Sequence, residues 1–180
     1  MRSHGYAALV SATWPEPVER VAVYLREAGA EARLEELESG TATAEEAAKA
    51  AGCTLQQIVK SLVLVCDGKP VVVLVPGDRR ADLDKIARAV GASSAKIARP
   101  SEVEEATGFA PGAVAPFPLP NVDRVLIDQS LLSHDVVWVG AGSETHLAAL
   151  HPGVLVRLAR ATTVDAVQDS NYPSAREETH

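Results

Sequence analysis

Apolar residues recur at helical spacing in several segments of the chain. The first is "PEPVERVAVYLREAGA", in which one face collects four apolar side chains, Val18, Val21, Ala22 and Leu25. This spacing predicts a helix that ends near Gly29. In "TATAEEAAKAAG", Thr43 with Glu46 three residues later predicts the capping box of a second helix, which Gly52 ends.

Two further helices are predicted in the middle of the chain. "ADLDKIARAVG" has the amphipathic pattern of a short surface helix. "SEVEEATG" predicts another, with Ser101 and Glu104 as its capping box and Gly108 as its end. A short helical turn is also expected after Thr54, directly before the first long apolar run.

Continuous apolar runs predict buried strands between these helices. "SLVLVC", the turn "DGKP" and "VVVLVPG" together indicate a hairpin of two buried strands. "EARLEEL", "DRVLIDQSL" and "DVVWVGAG" are further predicted strands. Because regular β-α-β alternation is missing, we predict an α+β fold with a mixed sheet and helices packed around it, rather than a doubly wound fold.

Length and composition indicate one folded domain. The chain has 180 residues, of which 47% are hydrophobic and 23% charged, enough for a substantial core. We expect this domain to cover residues 1–168 and the polar residues 169–180 to form a flexible tail. Cys53 and Cys66 fit neither a disulfide framework nor a metal site. Since no apolar run reaches the length of a membrane span, we expect a cytoplasmic protein without membrane association.

Charge is distributed unevenly along the chain. The net charge of −7 argues against a general nucleic-acid binder. Residues 16–46 hold nine Glu against three Arg, whereas residues 78–99 hold six basic residues against three Asp. The basic segment has two interpretations, a solvated helix face or a local patch for the end of a polyanion. The candidates for contact with a polyanion are Arg79, Arg80, Lys85 and Arg88.

Several common active-site patterns are missing. The five histidines are scattered without the spacing of a zinc site, and no serine lies in a G-x-S-x-G elbow. "GAGSET" follows a predicted strand as a dinucleotide fingerprint does. However, Thr145 stands where the third glycine or alanine belongs, and no β-α-β unit opens there. Metal catalysis and nicotinamide binding are therefore disfavoured.

One lysine and two glycine-containing turns remain as candidates. Lys60 lies in "IVKSLVLV", where the helical turn gives way to a buried strand. It is either a cation placed by the fold or a donor to a phosphate or an oxyanion. "GFAPGAVAPFPLP", residues 108–120, contains two glycines and four prolines and fits neither helix nor strand. This loop and "GAG" are either tight connections or turns whose N–H groups face a ligand.

Four separated motifs resemble the YbaK/EbsC family when taken together. They are "IVKSLVLV", "GFAPGAVAPF", "LIDQSL" and "VGAGSETHLAAL", in this order, and the resemblance covers roughly residues 20–165. The family includes free-standing aminoacyl-tRNA deacylases and the editing domain of bacterial prolyl-tRNA synthetases. The resemblance implies a largely antiparallel, barrel-like sheet surrounded by helices. It also implies a hydrolase without cofactor or metal that removes a wrong amino acid from a tRNA.

The resemblance also implies which residues form the site. Lys60 matches the essential lysine of the family, which is its catalytic residue. The substrate-binding positions are a G-x-x-x-P loop, an acidic strand end, a glycine turn and a G-x-x-x-H histidine, here Gly108, Gly112, Ala113, Pro116, Asp128, Gly140, Gly142 and His146. Gly112, Ala113 and Val114 would set the wall that rejects proline.

The implied partner is the acceptor end of an aminoacyl-tRNA, with proline tRNA expected, and prolyl-tRNA synthetase is a second candidate partner. The sequence leaves open whether cysteine, alanine or serine is removed and whether the protein forms a homodimer. Two alternatives also stay open. One is a non-catalytic binding module with Lys60 as a phosphate anchor, and the other is hydrolysis of a different small acyl ester or amide.

Overall fold

The computed structural model describes residues 2–4, 14–38 and 43–169. Its five helices are α1 (Glu16–Glu27), α2 (Ala44–Ala51), α3 (Leu83–Val90), α4 (Pro100–Thr107) and α5 (Pro152–Ala159). Its strands are β1 (Arg2–His4), β2 (Ala32–Glu36), β3 (Val59–Cys66), β4 (Lys69–Pro76), β5 (Ala95–Ile97), β6 (Arg124–Asp128), β7 (Val137–Ser143), β8 (His146–Leu150) and β9 (Thr162–Val164). This arrangement confirms the α+β class.

The strands form two sheets rather than one. A four-stranded sheet has the order β1-β2-β8-β7, and a five-stranded sheet has the order β5-β3-β4-β6-β9. The first is antiparallel throughout, whereas β4, β6 and β9 run parallel in the second. The two sheets meet at a parallel bridge between Ile58 and Trp138. The expectation of a barrel-like sheet is therefore wrong in one respect, since the sheets do not close into a barrel.

The predicted hairpin is confirmed and forms the centre of the five-stranded sheet. Every residue of β3 pairs with β4, from Val59 opposite Pro76 to Cys66 opposite Lys69. The four valines and the single leucine of β4 are buried, because its partner β6 arrives by a crossover connection and both faces of the sheet are covered.

The two faces of β3 belong to different parts of the core. Val59 and Val63 pack in the main cluster, together with residues of α1 and β7. Leu62 and Leu64 pack in a second cluster, which includes Ile86 of α3. Since side chains alternate along a strand, Lys60 lies on the α3 face of this sheet.

Local capping signals are confirmed in part. Thr43 caps α2 by accepting a hydrogen bond from the amide of Glu46 at 3.2 Å. The capping box predicted at Ser101 is wrong, because α4 begins at Pro100 with Arg99 as its N-cap. Proline is favoured at the first helical position, so the helix begins at Pro100, two residues before the start that Ser101 as N-cap would give.

The predicted strand "DRVLIDQSL" is shorter than expected. β6 ends at Asp128, and a 3-10 turn follows from Gln129 to Ser133. The carboxylate of Asp128 accepts hydrogen bonds from the amide and hydroxyl of Ser130. This cap turns the chain out of the sheet. The predicted tail beyond Asp169 lies outside the described residues.

Candidate active site

Lys60 is half-buried near the start of β3, and its side chain has a defined partner. Its ammonium donates a hydrogen bond to the backbone carbonyl of Arg79 at 2.8 Å. Burial lowers the pKa of Lys60, and the nearby carboxylates of Asp78 and Glu45 oppose this effect. The fold therefore holds a partly desolvated cation with one hydrogen-bond acceptor beside it.

Lys60 lines an open cleft of about 650 Å³. Its lining includes Leu62 of the same strand face, Arg80 and the first turn of α3. Arg80 is exposed, so the cleft combines two positive side chains. The carboxylate of Asp82 also lines it but accepts the amides of Asp84 and Lys85, both at 3.1 Å. That carboxylate serves chiefly as the N-cap of α3.

The four candidates for contact with a polyanion, which in this family would be a tRNA, differ in their availability. Lys85 donates to Asp165, to Asp169 and to the carbonyl of Val167, each at 2.9 Å. The hydrogen bonds to Asp169 and Asp165 raise the pKa of Lys85. The Arg79 guanidinium donates to the carbonyl of Gln168 at 2.5 Å. Arg80 and Arg88 are exposed, so they are the more accessible pair for a polyanion.

The glycine- and proline-rich loop is anchored by a residue of α1. It begins at Gly108, which ends α4. The Arg20 guanidinium donates to the carbonyl of Gly108 at 2.8 Å and lies 4.6 Å from the ring centre of Phe109. Ala113 and Pro116 are buried further along the loop. Sequence reasoning missed Arg20, since nothing local connects it to a loop 88 residues away.

The glycines of β7 lie where main chains cross. A Cβ on Gly140 would be 2.8 Å from the carbonyl oxygen of Val114 in the loop. A Cβ on Gly142 would be 2.7 Å from the carbonyl of Pro17 in α1. These two glycines allow β7 to pack closely against its neighbours. Gly112 differs, because a Cβ there would meet only a Glu144 carboxylate oxygen, at 3.8 Å.

The predicted acidic residue, Asp128, is buried and hydrogen-bonded within the protein. One of its oxygens accepts the Ala166 amide at 2.8 Å, and the other accepts the Ser130 amide at 3.1 Å. These hydrogen bonds connect the end of β6 to the segment after β9. The contacts of Asp128 are those of a structural cap.

His146 opens β8 and is almost fully buried, with 4% of its surface exposed. Its Nδ1 lies 2.5 Å from the Ser143 hydroxyl, and its ring packs at 6.1 Å from that of Trp14. Burial lowers the pKa of His146, against an opposing effect of Glu36. Nε2 is buried and has no partner within the described part of the chain. The sequence motif identified His146 but not the role of Ser143.

The predicted residues thus form two groups on either side of the junction between the sheets. Lys60 and the basic segment lie on the α3 side, whereas the loop, the β7 glycines and His146 lie with α1 and the four-stranded sheet. The parallel bridge between Ile58 and Trp138 connects them. Lys60 and Gly140 each lie two residues beyond this bridge, on strands that run the same way there.

No group of three or more His, Cys, Asp or Glu side chains is arranged to hold a metal ion in residues 14–38 and 43–169. None of the helices in these ranges is long and apolar enough to cross a membrane.

The chain is similar in sequence to a known domain family and to two curated proteins. The sequence model of the aminoacyl-tRNA editing domain matches residues 38–158. The chain is 37% identical to a proline–tRNA ligase of Nitratidesulfovibrio vulgaris over 132 residues, which are 72% of this chain but 22% of the ligase. It is 36% identical to YwhH of Bacillus subtilis over 118 residues, 65% of this chain and 74% of YwhH. The chain thus spans about a fifth of the ligase and most of YwhH.

Solved structures show the same fold. One, described as a candidate trans-editing enzyme for prolyl-tRNA synthetase, has a TM-score of 0.80 and 35% identity, covering 87% of this chain and 100% of that one. A second, the hypothetical protein APE2540, has a TM-score of 0.78 and 32% identity, covering 83% and 100% of the two chains.

Proposed function

Because this chain belongs to the aminoacyl-tRNA editing domain family, we propose that it is a trans-editing deacylase that hydrolyses the ester of a mischarged tRNA. The proposed substrates are cysteine or alanine attached to proline tRNA. The observation that carries the proposal is the match of the family model over residues 38–158, which contain every predicted site residue. The full-length match to a structure described as a candidate trans-editing enzyme supports action in trans.

The proposed chemistry needs few reactive groups. An aminoacyl ester is already activated, so its hydrolysis requires mainly a positioned water and stabilisation of the tetrahedral oxyanion. In the proposal, the Lys60 ammonium gives up its hydrogen bond to the Arg79 carbonyl and donates instead to a substrate oxygen. That oxygen belongs either to the terminal phosphate or to the ester carbonyl. Partial desolvation favours this exchange because it strengthens the attraction between the cation and an anionic oxygen.

The amino-acid pocket in this proposal lies along the loop. Gly112 is exposed, and the buried Ala113 and Val114 follow it. Small side chains here would accept alanine or cysteine and reject the proline ring by its volume. A methylene group alone changes binding by only about 1–3 kcal/mol, so steric rejection must supply the discrimination.

The test is a panel of proline tRNAs charged with cysteine, alanine, serine or proline, incubated with the wild-type protein and with Lys60→Ala. We expect release of a small amino acid, no release of proline, and loss of release in Lys60→Ala. Lys69→Ala is the matched control, because Lys69 is exposed at the other end of the same hairpin. Wild-type protein that deacylates none of the four, or undiminished turnover by Lys60→Ala, would overturn the proposal.

A second candidate is a non-catalytic module that binds tRNA, with Lys60 as a phosphate anchor. The observation that favours it is the position of Lys60 on the α3 face of its sheet, opposite the face that packs with Val114 of the loop. Binding of charged tRNA without release of any amino acid would support this module. The partners, proline tRNA and prolyl-tRNA synthetase, and the cytoplasmic location remain predictions for either candidate.

A further inference from the structure

The turn between β7 and β8 holds the Nδ1 side of the His146 ring. The Ser143 hydroxyl lies 2.5 Å from Nδ1, and the Thr145 hydroxyl lies 3.3 Å from the same nitrogen. On the opposite side of the ring, Nε2 is buried without a partner in the described residues. Buried polar atoms in folded proteins nearly always have a hydrogen-bond partner. The free side of this ring therefore indicates a place for a ligand group.

The hydrogen bonds of Ser143 favour one position for the proton of the His146 ring. The amide of Thr145 donates to the Ser143 oxygen at 3.1 Å. The Ser143 hydroxyl keeps its own proton to donate, and two acceptors lie within reach, the Thr145 hydroxyl at 3.3 Å and Nδ1 of His146 at 2.5 Å. The nearest acceptor is Nδ1, at a distance typical of a short O–H donor bond. A neutral ring that accepts at Nδ1 carries its proton on Nε2.

The backbone keeps this turn in place. The amide of Leu37, which follows β2, donates to the carbonyl of Thr145 at 2.6 Å. Glu36 of β2 lies opposite His146 in the strand register. Its charge favours a protonated ring, whereas burial favours the neutral one and is the larger effect on the pKa of His146. Burial thus favours the neutral ring, which has a single N–H to donate.

We propose that Ser143 is a positioning residue that fixes His146 as the Nε2–H tautomer, so that this N–H donates to an uncharged oxygen of the aminoacyl-adenosine end of the substrate. The acceptor is the ester carbonyl or a ribose hydroxyl oxygen. This role rests on the proposed function, because the acceptor belongs to its substrate. The tautomer itself is a property of the free protein and is measurable without any substrate.

Long-range proton–nitrogen NMR of the uniformly labelled protein tests the tautomer directly. His146 is assigned from the signals that disappear in His146→Gln. His151 provides an internal reference, since its Nδ1 accepts the Gly153 amide at 2.9 Å and its proton is therefore on Nε2. We expect His146 to show the same pattern as His151 in the wild type and in Ser143→Thr. In Ser143→Ala, we expect a mixture of tautomers or a shift to Nδ1–H, with His151 unchanged.

Kinetics provide the second measurement. Loss of one oriented hydrogen bond corresponds to a decrease of about tenfold in kcat/KM, which we expect for Ser143→Ala, whereas Ser143→Thr should stay within about twofold. Unchanged His151 signals show that Ser143→Ala is folded. An Nδ1–H pattern in the wild type, or a His146 pattern that Ser143→Ala leaves unaltered, would overturn the inference even if the enzyme is active. The expected spectra together with no deacylation by the wild type would instead overturn the proposed function.

Discussion

The ammonium of Lys60 lies 2.8 Å from the backbone carbonyl oxygen of Arg79, 19 residues later in the chain. This contact joins β3 to the segment that leads into α3. The hydrogen bond fixes the position of the partly desolvated Lys60 ammonium, and Lys60 also lines an open cleft. A substrate oxygen would replace one neutral acceptor and would not have to break an ion pair. The free-energy cost of exchanging the partner of Lys60 is therefore small.

Replacement of Lys60 by methionine should separate function from stability. We expect Lys60→Met to lose deacylation while the free energy of unfolding changes by less than about 1 kcal/mol. The reason is that loss of a charge-assisted hydrogen bond is offset by relief of the desolvation of a half-buried cation. Urea unfolding and release of amino acid from charged tRNA measure the two effects. Lys69→Met should change neither, and destabilisation by several kcal/mol in Lys60→Met would instead indicate a structural lysine.

Two glycines near the loop should respond differently to alanine. Gly142 has a φ of 99° and its added Cβ would overlap the Pro17 carbonyl. We therefore expect Gly142→Ala to destabilise by about 2–5 kcal/mol, since backbone strain and overpacking add. Gly112 has a φ of 82°, but its added Cβ would make only an ordinary contact with a Glu144 carboxylate oxygen, at 3.8 Å, so Gly112→Ala should cost only about 1–2 kcal/mol. Urea unfolding of both variants checks this order, which equal destabilisation would contradict.

Gly112→Ala should nevertheless change substrate choice. Because Gly112 is exposed at the proposed pocket wall, an added methyl group narrows the space for the amino acid. We expect a larger loss of activity on cysteine- than on alanine-charged tRNA. Equal losses of activity on the two substrates would show that Gly112 is not part of the wall of the amino-acid pocket.

Asp128 should behave as a structural residue. Both of its carboxylate oxygens accept amide hydrogens, from Ala166 and Ser130. In Asp128→Asn one of these oxygens becomes an NH₂ group that cannot accept, so we expect destabilisation by about 1–3 kcal/mol. Thermal or urea unfolding measures this loss. Full stability combined with loss of deacylation would show that Asp128 contacts the substrate instead.

Arg80 and Lys85 should contribute unequally to tRNA binding. Arg80 is exposed, whereas Lys85 is held by Asp165 and Asp169. We expect Arg80→Ala to reduce the slope of log K against log salt by about 0.7–0.9, the value for one phosphate contact. Lys85→Ala should leave the slope unchanged, as should the control Arg157→Ala on the exposed face of α5. Titration at several salt concentrations checks this, and an equal effect of Lys85→Ala would mean that tRNA displaces the two aspartates.

The local elements were predictable because their signals are local. Helix α1 follows from apolar spacing, and the β3–β4 hairpin follows from two apolar runs around "DGKP". The prediction at Ser101 failed for a local reason too, since Pro100 competes for the helix start. The barrel-like expectation failed for a different reason. Whether a sheet closes depends on the tilt and register of all its strands, which no single segment encodes.

The sequence by itself determined the family and the α+β class, and it identified Lys60, the loop and His146 as candidate site residues. It could do so because motifs and hydrophobic periodicity are properties of short segments of sequence. Only the tertiary structure decided how these residues are used. It engages Lys85 with carboxylates 80 and 84 residues away, and it uses Gly140 and Gly142 for close contact between main chains. It also leaves Nε2 of His146 without a hydrogen-bond partner among the described residues. Such contacts join segments far apart in sequence, and they follow from how the two sheets pack rather than from any local pattern.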